Sequence, residues 1–177
     1  AALFNVLSLL HCGSSEVTVR LSFDRGATFG QTATLARAGP EGATHLAAIE
    51  MAADYTLGIA FWQSHLGGAE LLYVEGRPSA FDGGGSPTRF AFDTPRVLYA
   101  ADGGISPVVM GVAWSPGGDL VVGYGFTSFT WNETTFETTV TTQFRCAVRV
   151  FGEGFRDTLL EEDVTIARDP SVAVVGE

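Results

Sequence analysis

Chemistry needs side chains that titrate, attack or coordinate, and in this chain of 177 residues such groups are scattered. His11, His45 and His65 each stand apart from any second residue at metal-ligand spacing, so they read as strand-end histidines rather than ligands or general bases. Cys12 and Cys146 form no CxxC pair; they read as small buried hydrophobes, with one disulfide in an oxidising compartment as the alternative. Twenty acidic residues supply many carboxylates, yet no two are set apart as an acid/base pair. Asp82-Gly-Gly-Gly-Ser86 and Ala101-Asp102-Gly103-Gly104 lack the alternating oxygen ligands of a calcium loop and read as turns. The expectation is therefore no catalytic residue, no metal and no cofactor. Binding has a better candidate in the segment SFTWNETTF, residues 128–136, where Trp131 could stack on a sugar ring or a protein partner. Trp131, Asn132 and His65 are the candidate ligand-binding residues. The bland alternative is that Phe129, Trp131 and Phe136 extend a hairpin and pack on it or on a neighbouring subunit. Asn132-Glu133-Thr134 is also a glycosylation triplet, meaningful only in a secreted eukaryotic setting.

Charge narrows the function classes further. All ten cations are arginine, which excludes a P-loop lysine and lysine Schiff-base chemistry and, with the alanine content, hints at a GC-rich bacterial genome. A net charge of −10 repels phosphate backbones, and no arginine cluster offsets it, so no nucleic-acid partner is expected. Gly, Ser, Thr or Asp interrupts every apolar stretch well short of the roughly 18–20 residues that cross a bilayer as a helix, so no membrane insertion is expected. The first ten residues, AALFNVLSLL, carry no positive flank and read as a strand rather than an intact signal peptide.

The elements that must position these residues are strands. β-Branched and aromatic residues are frequent, turn residues recur every 8–12 positions, and a 3.6-residue period is nearly absent, which predicts an all-β antiparallel chain. Strands are predicted at 3–12, 16–23, 31–37, 46–52, 56–63, 70–75, 88–92 and 96–100, then at 107–114, 119–127, 138–151, 158–166 and 171–175. The segment THLAAIEMAADY, residues 44–55, has helix propensity with Thr44 as a cap, yet strand is favoured because the repeat needs an element before TLGIAFWQ.

The repeat is a strand, a tight polar turn with glycine and a second strand: VRLSFDRGATFG, LLYVEGRPSAFDG and AVRVFGEGFRDT, anchored on Gly26, Gly76 and Gly154. The second interval is long because residues 128–142 are read as an extended Thr-rich connection. A unit of about 50 residues with four strands is the size of one β-propeller blade.

The segment Ser22-Phe23-Asp24-Arg25-Gly26-Ala27-Thr28-Phe29 resembles the Asp-box of sialidase-type (BNR) β-propellers, S-x-D-x-G-x-T-W/F, at Ser22, Asp24, Gly26, Thr28 and Phe29. Locally, the Asp carboxylate and Ser hydroxyl would bond backbone N–H groups, Gly would take a conformation closed to other residues, and the aromatic would pack between sheets. The resemblance implies a structural device on the turn between the third and fourth strands, opposite the active site. The other two copies lack the Ser/Asp pair. WSPGGDLVV, residues 114–122, is similar to the hairpin joining a blade's first two strands, and DPSVAVVGE at the C-terminus to an innermost strand.

This resemblance implies about three four-stranded blades: residues 1–43 completed by the terminal strand 168–177, then 44–104, then 105–167. Three blades cannot close a ring, so the expected partner is either a second copy, giving a six-bladed homodimeric ring, or further blades on another chain; a different all-β sandwich is the remaining alternative. Family enzymes use three arginines, a Tyr–Glu pair and an Asp on the face opposite the Asp-boxes. No matching arginine motif is present, Tyr55, Tyr73, Tyr99 and Tyr124 have no evident pairing, and Glu75-Gly76-Arg77 and Glu153-Gly154-Phe155-Arg156 fall on box-side turns as solvated charges. The implied function is a non-catalytic module, secreted, periplasmic or at the cell surface, that binds a glycan or protein; a glycoside hydrolase formed only on assembly is the alternative.

Overall fold

A computed structural model describes residues 7–13, 15–103, 105–132, 137–149 and 154–162. Twelve strands and no helix occupy them. The first sheet is β1 (Leu7–Cys12), β2 (Glu16–Ser22) and β3 (Gln31–Arg37), in the order β1-β2-β3. The second holds β4 (Ala43–Met51), β5 (Leu57–His65), β6 (Gly68–Phe81), β7 (Pro87–Phe92) and β8 (Arg96–Asp102). The third is β9 (Ile105–Trp114), β10 (Leu120–Asn132), β11 (Glu137–Arg149) and β12 (Phe155–Glu162), again in chain order. Every pairing is antiparallel.

In the second sheet β7 pairs with the far half of β6, from Gly76 to Phe81, while β8 pairs with its near half, from Gly68 to Tyr73. The two short strands thus share one position beside a single long one. The ambiguous segment at 44–55 is strand β4, followed by a turn at Ala52–Thr56. Its helix propensity loses because pairing with β5 buries an alternating set of side chains that a lone helix would leave exposed.

Period-2 alternation places the cores. Leu57, Ile59 and Phe61 of β5 and Val74 of β6 face the first sheet and pack with Val17, Val19, Leu21 and Leu35. Ala60, Trp62, Leu71 and Tyr73 face the third sheet and pack with Leu120, Val122, Tyr124 and Phe126. The second sheet is consequently buried on both sides, and the three sheets stack face to face without closing into a barrel or ring among the described residues.

On the outer face of the first sheet His11, Thr18, Arg20, Thr32 and Thr34 share the register positions that Leu7 and Leu9 also take. On the outer face of the third, Ala113, Val121, Phe144, Cys146 and Val148 are half-buried, and Thr158 and Arg156 of β12 share that face. The first and second sheets are further joined by Gln31, whose side-chain amide donates to the Phe90 carbonyl at 2.8 Å and accepts from the Phe90 N–H at 2.9 Å. That side chain covers backbone groups on the outer edge of β7.

Two sequence readings require correction. β6 runs unbroken through Gly76, where a turn was expected, because Gly76, Arg77 and Pro78 continue the ladder against β7. Residues 128–142 are largely strand rather than a loose connection: β10 reaches Asn132 and β11 begins at Glu137, paired across the whole span. The predicted C-terminal strand at 171–175, with the rest of 168–177, lies outside the described residues, as do residues 1–6.

Candidate functional site

The β2–β3 turn is held by its own side chains. Ser22 Oγ accepts the Gly26 N–H at 2.7 Å and donates to Asp24 Oδ1 at 2.7 Å. Asp24 accepts the Thr28 N–H on Oδ1 at 2.8 Å and the Thr28 hydroxyl on Oδ2 at 2.7 Å. Arg25 and Gly26 both take positive φ, 59° and 91°, so the chain reverses through the left-handed region where glycine is least strained. The hydrogen bonds from the Thr28 side chain and backbone, then from Ser22, hold the Asp24 carboxyl down at about 2. Phe29 is 43% exposed instead of packing between sheets; Phe23 takes that place, stacked on Phe90 at 6.2 Å.

A second turn of the same kind lies at 82–86, which the sequence reading placed as a turn but did not match to the Asp24 one. Between β6 and β7, Asp82 Oδ1 accepts the N–H of Gly84 at 2.8 Å and of Ser86 at 2.9 Å. Asp82 to Ser86 has the spacing of Asp24 to Thr28, and both turns lead into the next strand of their sheets. The signal was present as D-x-x-x-S/T, but the anchor on Gly76 placed the turn six residues too early. In the expected third copy, residues 147–158, the turn residues 150–153 lie outside the described residues. The 115–119 hairpin joins the first two strands of its sheet as expected, with Ser115 Oγ accepting the Asp119 N–H at 2.9 Å.

The stack has two ends. One carries the turns at 23–30, 52–56, 82–86 and 115–119; the other carries the β1–β2 and β5–β6 turns and the long β10–β11 hairpin. His65 and the backbone of Trp131 and Asn132 belong to the second end. His65 is exposed and bonds the Leu66 carbonyl at 3.2 Å, and His45 Nε2 lies 3.1 Å from Ser64 Oγ. Trp131 and Asn132 pair with Thr138 and Glu137 at the tip of the ladder; their side chains lie outside what is described. Among the described residues no three His, Cys, Asp or Glu side chains gather as a metal site, and both cysteines are free thiols.

The most developed polar cluster lies at the Asp24 end, in a cleft of about 670 Å³ between the second and third sheets. Its floor is Glu75, expected as a solvated turn charge but found mid-strand and only 5% exposed. Tyr73, two residues away on the same face, donates its hydroxyl to Glu75 Oε2 at 3.2 Å. Arg149 of β11 donates to that same oxygen, and Arg77 Nε donates to Oε1 at 2.8 Å. Burial alone would raise the Glu75 pKa, but the hydrogen bonds from Arg149 and Arg77 outweigh it and hold the carboxyl below its ordinary value. Burial, and then the Glu75 charge, push the Tyr73 hydroxyl well above its usual range, so it stays protonated. The Arg149 guanidinium lies 5.3 Å from the Trp114 ring and 6.0 Å from the Tyr73 ring.

The motif repeats one turn of the ladder away: Tyr124 donates to Asp157 Oδ1 at 2.5 Å, Arg145 bonds the other oxygen of that carboxylate, and its guanidinium covers Tyr99 at 4.9 Å. Sequence reasoning missed the Tyr124–Asp157–Arg145 set because its members sit on three strands, and the Tyr73–Glu75–Arg77 set, all on β6 and joined by Arg149 of β11, because Glu75 was read as a turn charge. The alternation at 145, 147 and 149, which points two arginines inward, was the available signal. Comparison with family models, with curated proteins and with solved structures finds nothing that matches the chain.

Proposed function

We propose that the chain is a non-catalytic, β-propeller-type segment of the sialidase-like (BNR) kind, acting outside the cytoplasm as a carbohydrate- or protein-binding and assembly module. The observation that carries this reading is the repetition of one turn, built on Asp24 and again on Asp82, at the same junction of two successive stacked meanders. Among the described residues the first sheet has three strands against five and four in the others, which accords with a blade that takes a further strand from elsewhere. The half-buried Ala113, Val121, Phe144 and Val148 on the outer face of the third sheet support an assembled state, since such a group of apolar side chains favours cover. Its occupant would be a second copy or further blades on another chain.

Light scattering in solution tests the assembly: a mass of two or more chains, or co-purification with a polypeptide that extends the sheet stack, is expected. A stable, cooperatively melting monomer of 18.7 kDa overturns it. Binding is tested on a glycan array with wild type and Trp131→Ala, and equal signals from both remove Trp131 as the contact.

A second reading, a glycoside hydrolase whose site forms on assembly, draws on the Tyr73–Glu75 pair beside Arg77 and Arg149. Two observations weigh against it. The hydroxyl is kept protonated by burial, and the pair sits at the end bearing the Asp24 turn, opposite the end the resemblance implies for chemistry. Turnover of aryl glycosides by the assembled protein, abolished in Tyr73→Phe, would establish the hydrolase instead.

A further inference from the structure

We infer that the outer face of the third sheet is seated against the same face of a second copy of this chain, the two sheets lying back to back about a two-fold axis. The inference rests on the assembled state proposed above and names its partner and its contact. Alternation sets the outward column: Val121, Gly123, Gly125, Thr127 and Phe129 on β10, with Val148, Cys146, Phe144, Thr142 and Val140 beside them on β11. Among the described residues β9 accompanies β10 only to Ser128, and β12 accompanies β11 only from Gln143. Phe129 and Val140, directly opposite each other and 50% and 53% exposed, therefore stand on a hairpin that projects alone and extends the same face.

Charge selects the occupant. The chain carries −10, so two copies repel wherever their carboxylates meet. None of the outward positions just named is charged, nor are Gly111 and Ala113 next to them on β9; Arg156 and Glu161 stand at the margin, on β12. The outer face of the first sheet shares Leu7 and Leu9 with His11, Arg20 and a Glu16–Arg37 ion pair. Shape selects the geometry. Phe144, Cys146 and Val148 make a ridge on β11, and their register partners on β10 are Gly125, Gly123 and Val121. A two-fold axis running along the strands, between β10 and β11, lays each copy's ridge over the other's low positions: Phe144 over Gly125, Cys146 over Gly123, and Val140 over Phe129. Strand spacing and rise give the face roughly 19 Å by 27 Å, which with its side chains approaches the roughly 800 Å² per partner of a stable complex.

Light scattering of the full chain over a concentration series, at low and at high salt, tests the contact. Twice 18.7 kDa is expected, held more tightly at high salt, where repulsion between two acidic bodies is screened. Phe144→Glu and Val140→Glu should each weaken the dimer about tenfold or more. Val140 is exposed, so Val140→Glu should keep the wild-type circular dichroism and reads the contact even if Phe144→Glu does not fold. Arg20→Glu, on the outer face of the first sheet, should leave the dimer intact. A dimer that Arg20→Glu weakens as much, or that ignores both glutamates at 140 and 144, or a face covered by a different polypeptide, overturns the inference while the assembled state stands. A wild type that is monomeric at every concentration and salt overturns both.

Discussion

Arg149, on β11, donates a hydrogen bond to Glu75, on β6, across 74 residues of sequence and from one sheet to the next. Glu75 is 5% and Arg149 18% exposed at the side chain, so each charge has surrendered most of its hydration to the other. Such a pair gains little over an apolar substitute, yet it is costly to break, because the survivor is left buried and uncompensated. It fixes the register in which the second and third sheets stack, through a contact that no local rule of strand pairing supplies.

Glu75→Gln is expected to destabilise the fold by about 3 kcal/mol, the lower end for breaking a buried pair, since Arg149 keeps contact with the Trp114 and Tyr73 rings. Denaturant titration measures it. Pairing Glu75→Gln with Arg149→Met in a double-mutant cycle should recover part of that loss. Equal, additive losses would refute coupling between the two.

The Asp24 turn carries a pH signature. Its carboxyl sits at about 2 in the folded chain against 3.8 ordinarily, so folding is favoured by the ionised form. That contribution is complete above about pH 4 and is lost as pH falls through 2. Asp24→Ala should lower the Tm at neutral pH and flatten the acid limb of the Tm-against-pH curve between those values. An acid limb identical to wild type would separate the turn from acid stability.

Asp82→Ala is expected to act in the same direction, because Asp82 also accepts two backbone N–H bonds within one turn. Removal leaves those donors to water at an exposed site, so the loss should be smaller than at Asp24, where Ser22 and the Thr28 hydroxyl also bond the carboxylate. A Tm unchanged within error in Asp82→Ala would break the equivalence of the two turns.

What could be read from the sequence divides along one physical line. Local signals worked: TLGIAFWQ, residues 56–63, was legible as a strand and forms β5, although its packing on both faces shows only in the stacked sheets. Ser22, Asp24, Gly26 and Thr28 were legible as a turn because their bonds span at most four residues. Glu75 was misread because glycine and proline on either side of Arg77 resemble a turn, and only the long ladder of β7 shows that the strand continues. The cleft was invisible for a related reason: Glu75, Arg96, Trp114 and Arg149 meet only through the stacking of two sheets.

Cys146 offers a check on the outer face of the third sheet. Burial, and then the Asp157 charge, raise its thiol pKa above 9.0. The thiolate is the reactive form, so alkylation by iodoacetamide should be slow at neutral pH and accelerate as pH rises beyond that value. In an assembly that covers this face, the reaction should slow further at alkaline pH and recover when the assembly is dissolved. Rapid labelling of Cys146 at neutral pH would contradict the environment described.

Trp62 is the largest side chain at the centre of the stack, 0% exposed, and meets Tyr124 and Phe126 edge-on, each at 5.8 Å. Its indole N–H has no hydrogen-bond partner among the described residues. Packing and polarity therefore pull apart at one residue, and two substitutions separate them. Trp62→Ala removes the whole ring and should cost about 3–5 kcal/mol, as for other large cores opened to a cavity. Trp62→Phe keeps an aromatic edge for Tyr124 and Phe126 while deleting the unsatisfied donor, whose burial itself costs roughly 1–3 kcal/mol. The relief offsets much of the smaller cavity, so the loss in Trp62→Phe should stay under about 1.5 kcal/mol, within the range of well-tolerated hydrophobic swaps. A phenylalanine variant as unstable as the alanine one would mean that the N–H is satisfied in solution, and that ring volume alone holds the second and third sheets together.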